Sequence, residues 1–266
     1  MRQLRDLPAF RALLRAVESR FYANVQLPEP TLDLGCGDAH FASVTFDHPL
    51  AVGVDPWWRP LREAAKRGAY LALAQAEGRA LPFATSHFAS AVSNSVLEHI
   101  PDLAPVLAEL ARVLRPGAPF IFCVPSERFV EFLSISGALR AVGLAAAAGA
   151  YESFFNRISR HHHCDPPHVW HERLMRAGFA VERSWYYFSA SALRALEWGH
   201  YFGAPAAISK AVTGRWILSP SRANLWLTER LLRPFYEEPP LDDGRAGAYL
   251  FFVTRRVAPE QPIGAG

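Results

Sequence analysis

The hexapeptide Leu32-Asp33-Leu34-Gly35-Cys36-Gly37 constrains this chain more than any other stretch. Apolar residues around a single acid read as a short buried strand, and two glycines one residue apart read as a tight turn that lets backbone approach a ligand. A helix starting beyond that turn offers unpaired N–H groups to the same ligand. A turn built for a dinucleotide needs a third small residue three positions after Gly37, where His40 stands, so that fingerprint fails. Asp55 closes the next apolar run at about the spacing at which an acid grips a ribose diol, the structural alternative being a helix N-cap.

Downstream the pattern alternates. Residues 50–54 read as a second strand, 71–76 as a third closing on Glu77, 88–93 as a fourth and 120–124 as a fifth. A helix over 103–114 is stopped by Arg115-Pro116-Gly117. With later strands at 180–188 and 248–253, this order predicts an α/β protein: a doubly wound, Rossmann-like, mostly parallel seven-stranded sheet. Leu4, Leu7, Phe10, Leu13, Leu14, Val17 and Phe21 recur at helical spacing and predict an amphipathic helix over 4–22, leaning on the domain that follows. Residues 129–155 read as an alanine-rich helical stretch, 170–175 and 224–232 as helices. The expected organisation is therefore the N-terminal helix and cofactor-binding half in 1–125, a helical lid insertion in 126–170, and the rest of the sheet in 171–266 with a second insertion at about 189–236.

Composition excludes several functions. The chain has 266 residues, half of them apolar, and 28 basic against 25 acidic residues spread along its length; no basic block points to nucleic acid. Three cysteines without a C-x-x-C pair, and no apolar run at the start, lead us to expect a reducing, cytoplasmic setting. The run 135–150 is interrupted by Arg140 and shorter than the roughly 20 residues that span a bilayer. Together with the aromatic, arginine-flanked stretch 198–226 it has the character of segments that lie at a bilayer interface, so peripheral membrane contact is an expectation beside the commoner fate of burial in the lid. Phe129, Phe155, Trp198, Tyr201, Trp216 and Trp226 enrich the two insertions and favour a hydrophobic acceptor.

The order Leu-Asp-Leu-Gly-Cys-Gly at 32–37, Val-Gly-Val-Asp at 52–55, Ala-Glu-x-x-x-Leu-Pro-Phe at 76–83, Ser-Asn-Ser-Val-Leu-Glu-His-Ile at 93–100 and Ala-Arg-Val-Leu-Arg-Pro-Gly at 111–117 resembles the class I S-adenosylmethionine-dependent methyltransferases, especially the type 11 branch. The resemblance covers residues 31–125. It implies S-adenosylmethionine as cofactor. Asp33, Gly35 and Gly37 resemble the turn around its methionine part, Asp55 the acid on both ribose hydroxyls, and Glu77 the carboxylate on the adenine amine. Ser93 and Asn94 resemble the strand end beside the transferable methyl. Two positions depart from the pattern: Ala39 where a third glycine is common, and Ala89 where an aspartate is common. Leu97-Glu98-His99 falls where the family begins a helix. His161, His162, His163, Cys164, Asp165, His168 and His171 form the densest group of candidate ligands. We expect no metal there, and read His162 or His163 as a general base, since imidazole titrates near neutrality. The implied activity is methyl transfer to a small or lipid-like hydrophobic acceptor, at oxygen or carbon. The competing readings are a non-catalytic S-adenosylmethionine-binding partner or sensor and a nicotinamide oxidoreductase, the latter opposed by the missing third glycine.

Overall fold

A computed structural model describes residues 6–23, 25–202, 221–241 and 244–258, together with residues 4 and 212. Seven strands form one sheet: β1 (Thr31–Leu34), β2 (Leu50–Asp55), β3 (Tyr70–Gln75), β4 (Ser90–Asn94), β5 (Pro119–Pro125), β6 (Phe179–Tyr187) and β7 (Tyr249–Arg256), in the spatial order β3-β2-β1-β4-β5-β7-β6. The five strands from β3 to β5 run parallel. The last residue of β7 is bonded to Gly117 and Ala118 at the start of β5, so β7 runs antiparallel to it. The order reverses at β1, which places a topological switch point between β1 and β4. β5 reads Pro-Phe-Ile-Phe-Cys-Val-Pro and is buried throughout, as expected of a central parallel strand covered on both faces.

Among the described residues the helices are α1 (Ala9–Tyr22), α2 (His40–Thr45), α3 (Trp58–Ala64), α4 (Ala104–Val113), α5 (Ser134–Ala141), α6 (Ala145–Ser159), α7 (Pro167–Arg176), α8 (Ala190–Phe202) and α9 (Arg222–Tyr236). Buried Val106, Leu107, Leu110 and Val113 give α4 one apolar stripe, and Gly117 with φ +78° ends the connection to β5. Chain contacts divide into two compact units. One comprises Gln26–Val124, Asp165–Ser184 and Phe251–Gly266; the other comprises Met1–Val25, Pro125–Cys164 and Trp185–Leu250.

The second of these units refines the sequence expectation in two places. The helix at the N-terminus packs on α8 and α9, and a Cβ at Gly199 would lie 2.5 Å from Phe10 Cβ, so the glycine permits that close approach. The alanine-rich stretch is two helices, because Gly143 takes φ +79°, a left-handed conformation that α-helix excludes and glycine adopts freely. Within the same unit Glu197 is fully buried and its carboxylate accepts bonds from Ser134 N–H (2.6 Å), Ser134 Oγ (2.7 Å), Ile135 N–H (3.2 Å) and Tyr151 OH (2.8 Å). An acid on α8 thereby caps the start of α5. Trp216 of the second insertion lies outside the described residues, as do the side chains of Tyr201 and Phe202.

Candidate functional site

The glycine turn expected after β1 is present, with its geometry set by crowding on one side and openness on the other. Gly35 takes φ +79°, and a Cβ there would lie 2.4 Å and 2.5 Å from the two methyls of Val96; any side chain would collide. Gly37 takes φ +54° and a Cβ there would meet nothing within 4 Å, so its backbone faces open space. Gly35 N–H and Cys36 N–H both donate to Val54 O, at 2.8 Å and 2.9 Å, which ties the turn to β2. Ala39 stands where the family pattern has a third glycine and takes φ 62°. The conformation that makes glycine common there persists with alanine in place, at a cost of about 1 kcal/mol.

Asp55 ends β2 beside that turn. Its Oδ2 accepts Gly37 N–H at 3.0 Å and its Oδ1 accepts Trp57 N–H at 2.9 Å, so each oxygen is held by one backbone donor and keeps a second lone pair. The Trp57 bond is the cap-like component of the alternative reading, and the Gly37 bond is what joins the acid to the turn. Burial raises the Asp55 pKa while the two backbone bonds lower it.

Asp33 lies on β1, 5% exposed, with Tyr70 OH donating to its Oδ2 at 2.5 Å. Burial pushes its pKa up to about 7; the Tyr70 bond pulls it down, and the charge of Asp55 raises it further. The adjacent Cys36 thiol is pushed up by its own burial and by the Asp33 and Asp55 charges, which makes it a poor nucleophile.

The remaining candidates fall in different settings. Glu77, beyond the end of β3, is exposed and pairs with Arg79 at 2.8 Å. Ser93 is fully buried and spends its hydroxyl on Leu34 O at 3.0 Å, tying β4 to β1. Asn94 is half-buried and its Oδ1 accepts from the Cys123 thiol at 3.1 Å. Leu97–His99 is a single 3-10 turn where the family pattern begins a longer helix, and Val96 just before it occupies the space against Gly35. His162 and His163 belong to the other compact unit, in the segment after α6; His162 is exposed and His163 half-buried, while the neighbouring His161 ring stands edge-on to Phe129 at 4.8 Å.

Tyr70 and Val96 are the residues that sequence reading missed. Tyr70 left one trace, the glycine of Val52-Gly53-Val54: a Cβ at Gly53 would lie 3.0 Å from two Tyr70 ring carbons.

Residues 32–122 match the family described as a methyltransferase domain. The chain is 30% identical over 191 residues to an uncharacterised methyltransferase of Mycolicibacterium gilvum, the match covering 70% of this chain and 66% of that protein. It is 35% identical over 92 residues to a methyltransferase of Mycobacterium leprae, covering 32% of this chain and 33% of that one. The chain thus spans just under two thirds of the first relative and a third of the second. A solved S-adenosylmethionine-dependent methyltransferase of Thermotoga maritima shares the fold, with a TM-score of 0.57 at 15% identity over 94% of this chain and 91% of the other. The matched segment is the one that carries the glycine turn, both buried aspartates and the β4 strand end, and over residues 32–122 the chain is similar to the methyltransferase domain family.

Proposed function

We propose that this protein transfers a methyl group from S-adenosylmethionine to a small or lipid-like hydrophobic acceptor, at oxygen or carbon. The observation that carries the cofactor half of this reading is Asp55: a carboxylate whose two oxygens are each fixed by one backbone N–H and each keep a lone pair, beside a glycine whose backbone faces open space. The two remaining lone pairs are acceptors for the two hydroxyls of a ribose diol. Gly35 and Gly37 would receive the methionine part and Glu77 the adenine amine. Ser93 and Asn94 would border the methyl, Ser93 through its backbone because its hydroxyl is already used within the sheet.

When bound, S-adenosylmethionine supplies a methyl group already activated by its sulfonium. The chain's own residues then need to hold the acceptor in line, exclude water and take a proton where the acceptor is a hydroxyl. His162 or His163 is our candidate for that proton, on the strength of imidazole chemistry and the family resemblance. The hydrophobic acceptor is inferred from the aromatic content of the two insertions, among them Phe129, Phe155, Trp198 and Trp226. Among the described residues no helix is long and apolar enough to cross a membrane. Surface contact with a bilayer stays part of the proposal, because a lipid-like acceptor would be met there.

Titration calorimetry with S-adenosylmethionine and its demethylated product tests the cofactor half. Losing two charge-assisted bonds at roughly 1.5–3 kcal/mol each, Asp55→Ala should bind at least tens of times more weakly. Equal affinity of variant and wild type would remove Asp55 from the site. Turnover on a panel of hydrophobic alcohols and carbon acids tests the acceptor half, and tight binding with no turnover on any of them would favour a non-catalytic sensor.

A further inference from the structure

Asp33 is the one charged residue of β1, and the chain goes to some length to give it a partner. Tyr70 opens β3, two strands away. Between them lies β2, whose residue in register with Asp33 is Gly53. A Cβ at Gly53 would come within 3.0 Å of the Tyr70 ring and of Cys36 Sγ, so only a glycine leaves room for the ring. Three strands therefore combine to bring one hydroxyl to one carboxylate at 2.5 Å. The bond uses Oδ2, and none of the described residues bonds to Oδ1. A phenylalanine and an asparagine could fill the same volume without a buried ionisable group, and a packing role explains neither the acid nor the hydroxyl.

The charges that bear most directly on Asp33 and on the Cys36 thiol beside it are negative. Asp55 acts on it directly, and Asp33, Asp55 and Asp38 all act on the Cys36 thiol beside it. Asp38 is itself paired with Arg67, at 3.4 Å. Such a neighbourhood repels a second anion and is complementary to a cation, and the methionine part of the cofactor carries an ammonium group. We propose that Tyr70 is a positioning residue of the cofactor site, holding Asp33 as an oriented carboxylate for the cofactor's ammonium, so that cofactor binding is coupled to release of the Asp33 proton. The inference rests on the reading of the turn as an S-adenosylmethionine site. The proton balance is simple: Asp33 enters as a partly protonated carboxyl, ends as a carboxylate facing the ammonium, and its proton passes to buffer. Burial holds Asp33 near neutral titration, and the Tyr70 bond opposes that rise. Removing the hydroxyl therefore moves the titration to higher pH.

The test is calorimetry with S-adenosylhomocysteine, which keeps the ammonium, from about pH 5.5 to 8 in buffers of different ionisation enthalpy. Wild type should release a proton on binding below about pH 7, and bind roughly tenfold more weakly at pH 6 than at pH 8. Tyr70→Phe should shift that fall in affinity to higher pH, approaching wild-type affinity only at the alkaline end, a change that general loosening would not produce. Asp33→Asn should bind weakly with no slope. A wild-type profile flat in pH with no proton released overturns the inference even if Tyr70→Phe fails to fold, and so does a Tyr70→Phe profile parallel to wild type. Failure of wild type to bind S-adenosylhomocysteine at every pH overturns the reading of the site itself, and this inference with it.

Discussion

Gly35→Ala is the perturbation whose cost the structure specifies most directly. At φ +79° an alanine occupies the left-handed region, at about 1–2 kcal/mol relative to a relaxed backbone. Its Cβ would also lie 2.4 Å and 2.5 Å from the Val96 methyls, a collision relieved only by moving the turn or Val96, and overpacking of this kind costs about 1–3 kcal/mol. The sum is about 2–5 kcal/mol, which for a chain of this size is a fall in Tm of roughly 5–20 °C. Val96→Ala removes both colliding methyls and alone should cost about 1–2 kcal/mol. The double variant should then be more stable than the two single costs predict by about 1–3 kcal/mol, since the collision is gone and only the backbone conformation remains strained. Urea denaturation of the four proteins measures this cycle. A Gly35→Ala protein within about 0.5 kcal/mol of wild type, or a double variant showing simple additivity, would refute the argument that Val96 is what requires glycine at this turn.

Three further outcomes are expected. In the cofactor-free protein, Asp33 keeps its proton to about pH 7 while the unfolded chain releases it near the ordinary 3.8, so stability should fall as pH rises between those values, by at most about 4 kcal/mol; Asp33→Asn should flatten this slope and raise Tm at pH 8, and an unchanged pH dependence of Tm would count against a buried, proton-holding Asp33. Glu197→Ala leaves the donors of Ser134, Ile135 and Tyr151 without their acceptor and should cost about 2–4 kcal/mol, with faster amide exchange at Ser134 and Ile135 as the local sign and unchanged exchange as the contrary one. His162→Ala or His163→Ala should lower turnover by roughly 10²–10⁴ with cofactor affinity intact if either is the general base; a parallel loss of Tm and activity would assign the cluster to structure instead.

Much of this protein is legible in one dimension because its signals are local. The alternation of apolar runs with helical stretches, the glycine turn after β1 and the acid at the end of β2 are all properties of a few consecutive residues, and they predict the α/β sheet and the place where Asp55 meets Gly37. The shortfalls share a different cause. The split of the alanine-rich stretch turned on the conformation of Gly143, which an apolar run does not reveal, and α1 found its partners in α8 and α9, far along the chain. The motif that marks Ser93 does not reveal that its hydroxyl is spent on Leu34, 59 positions away. Tyr70 carries no motif at all; its role exists only because β2 places a glycine between β3 and β1, so that a hydroxyl can reach an acid 37 residues distant. Local chemistry thus marks the glycine turn and the acids that stand beside it. Sheet order and side-chain packing decided which of those groups are already partnered, which residue enforces each glycine, and how far burial moves each proton, because those energies depend on neighbours brought together by the fold.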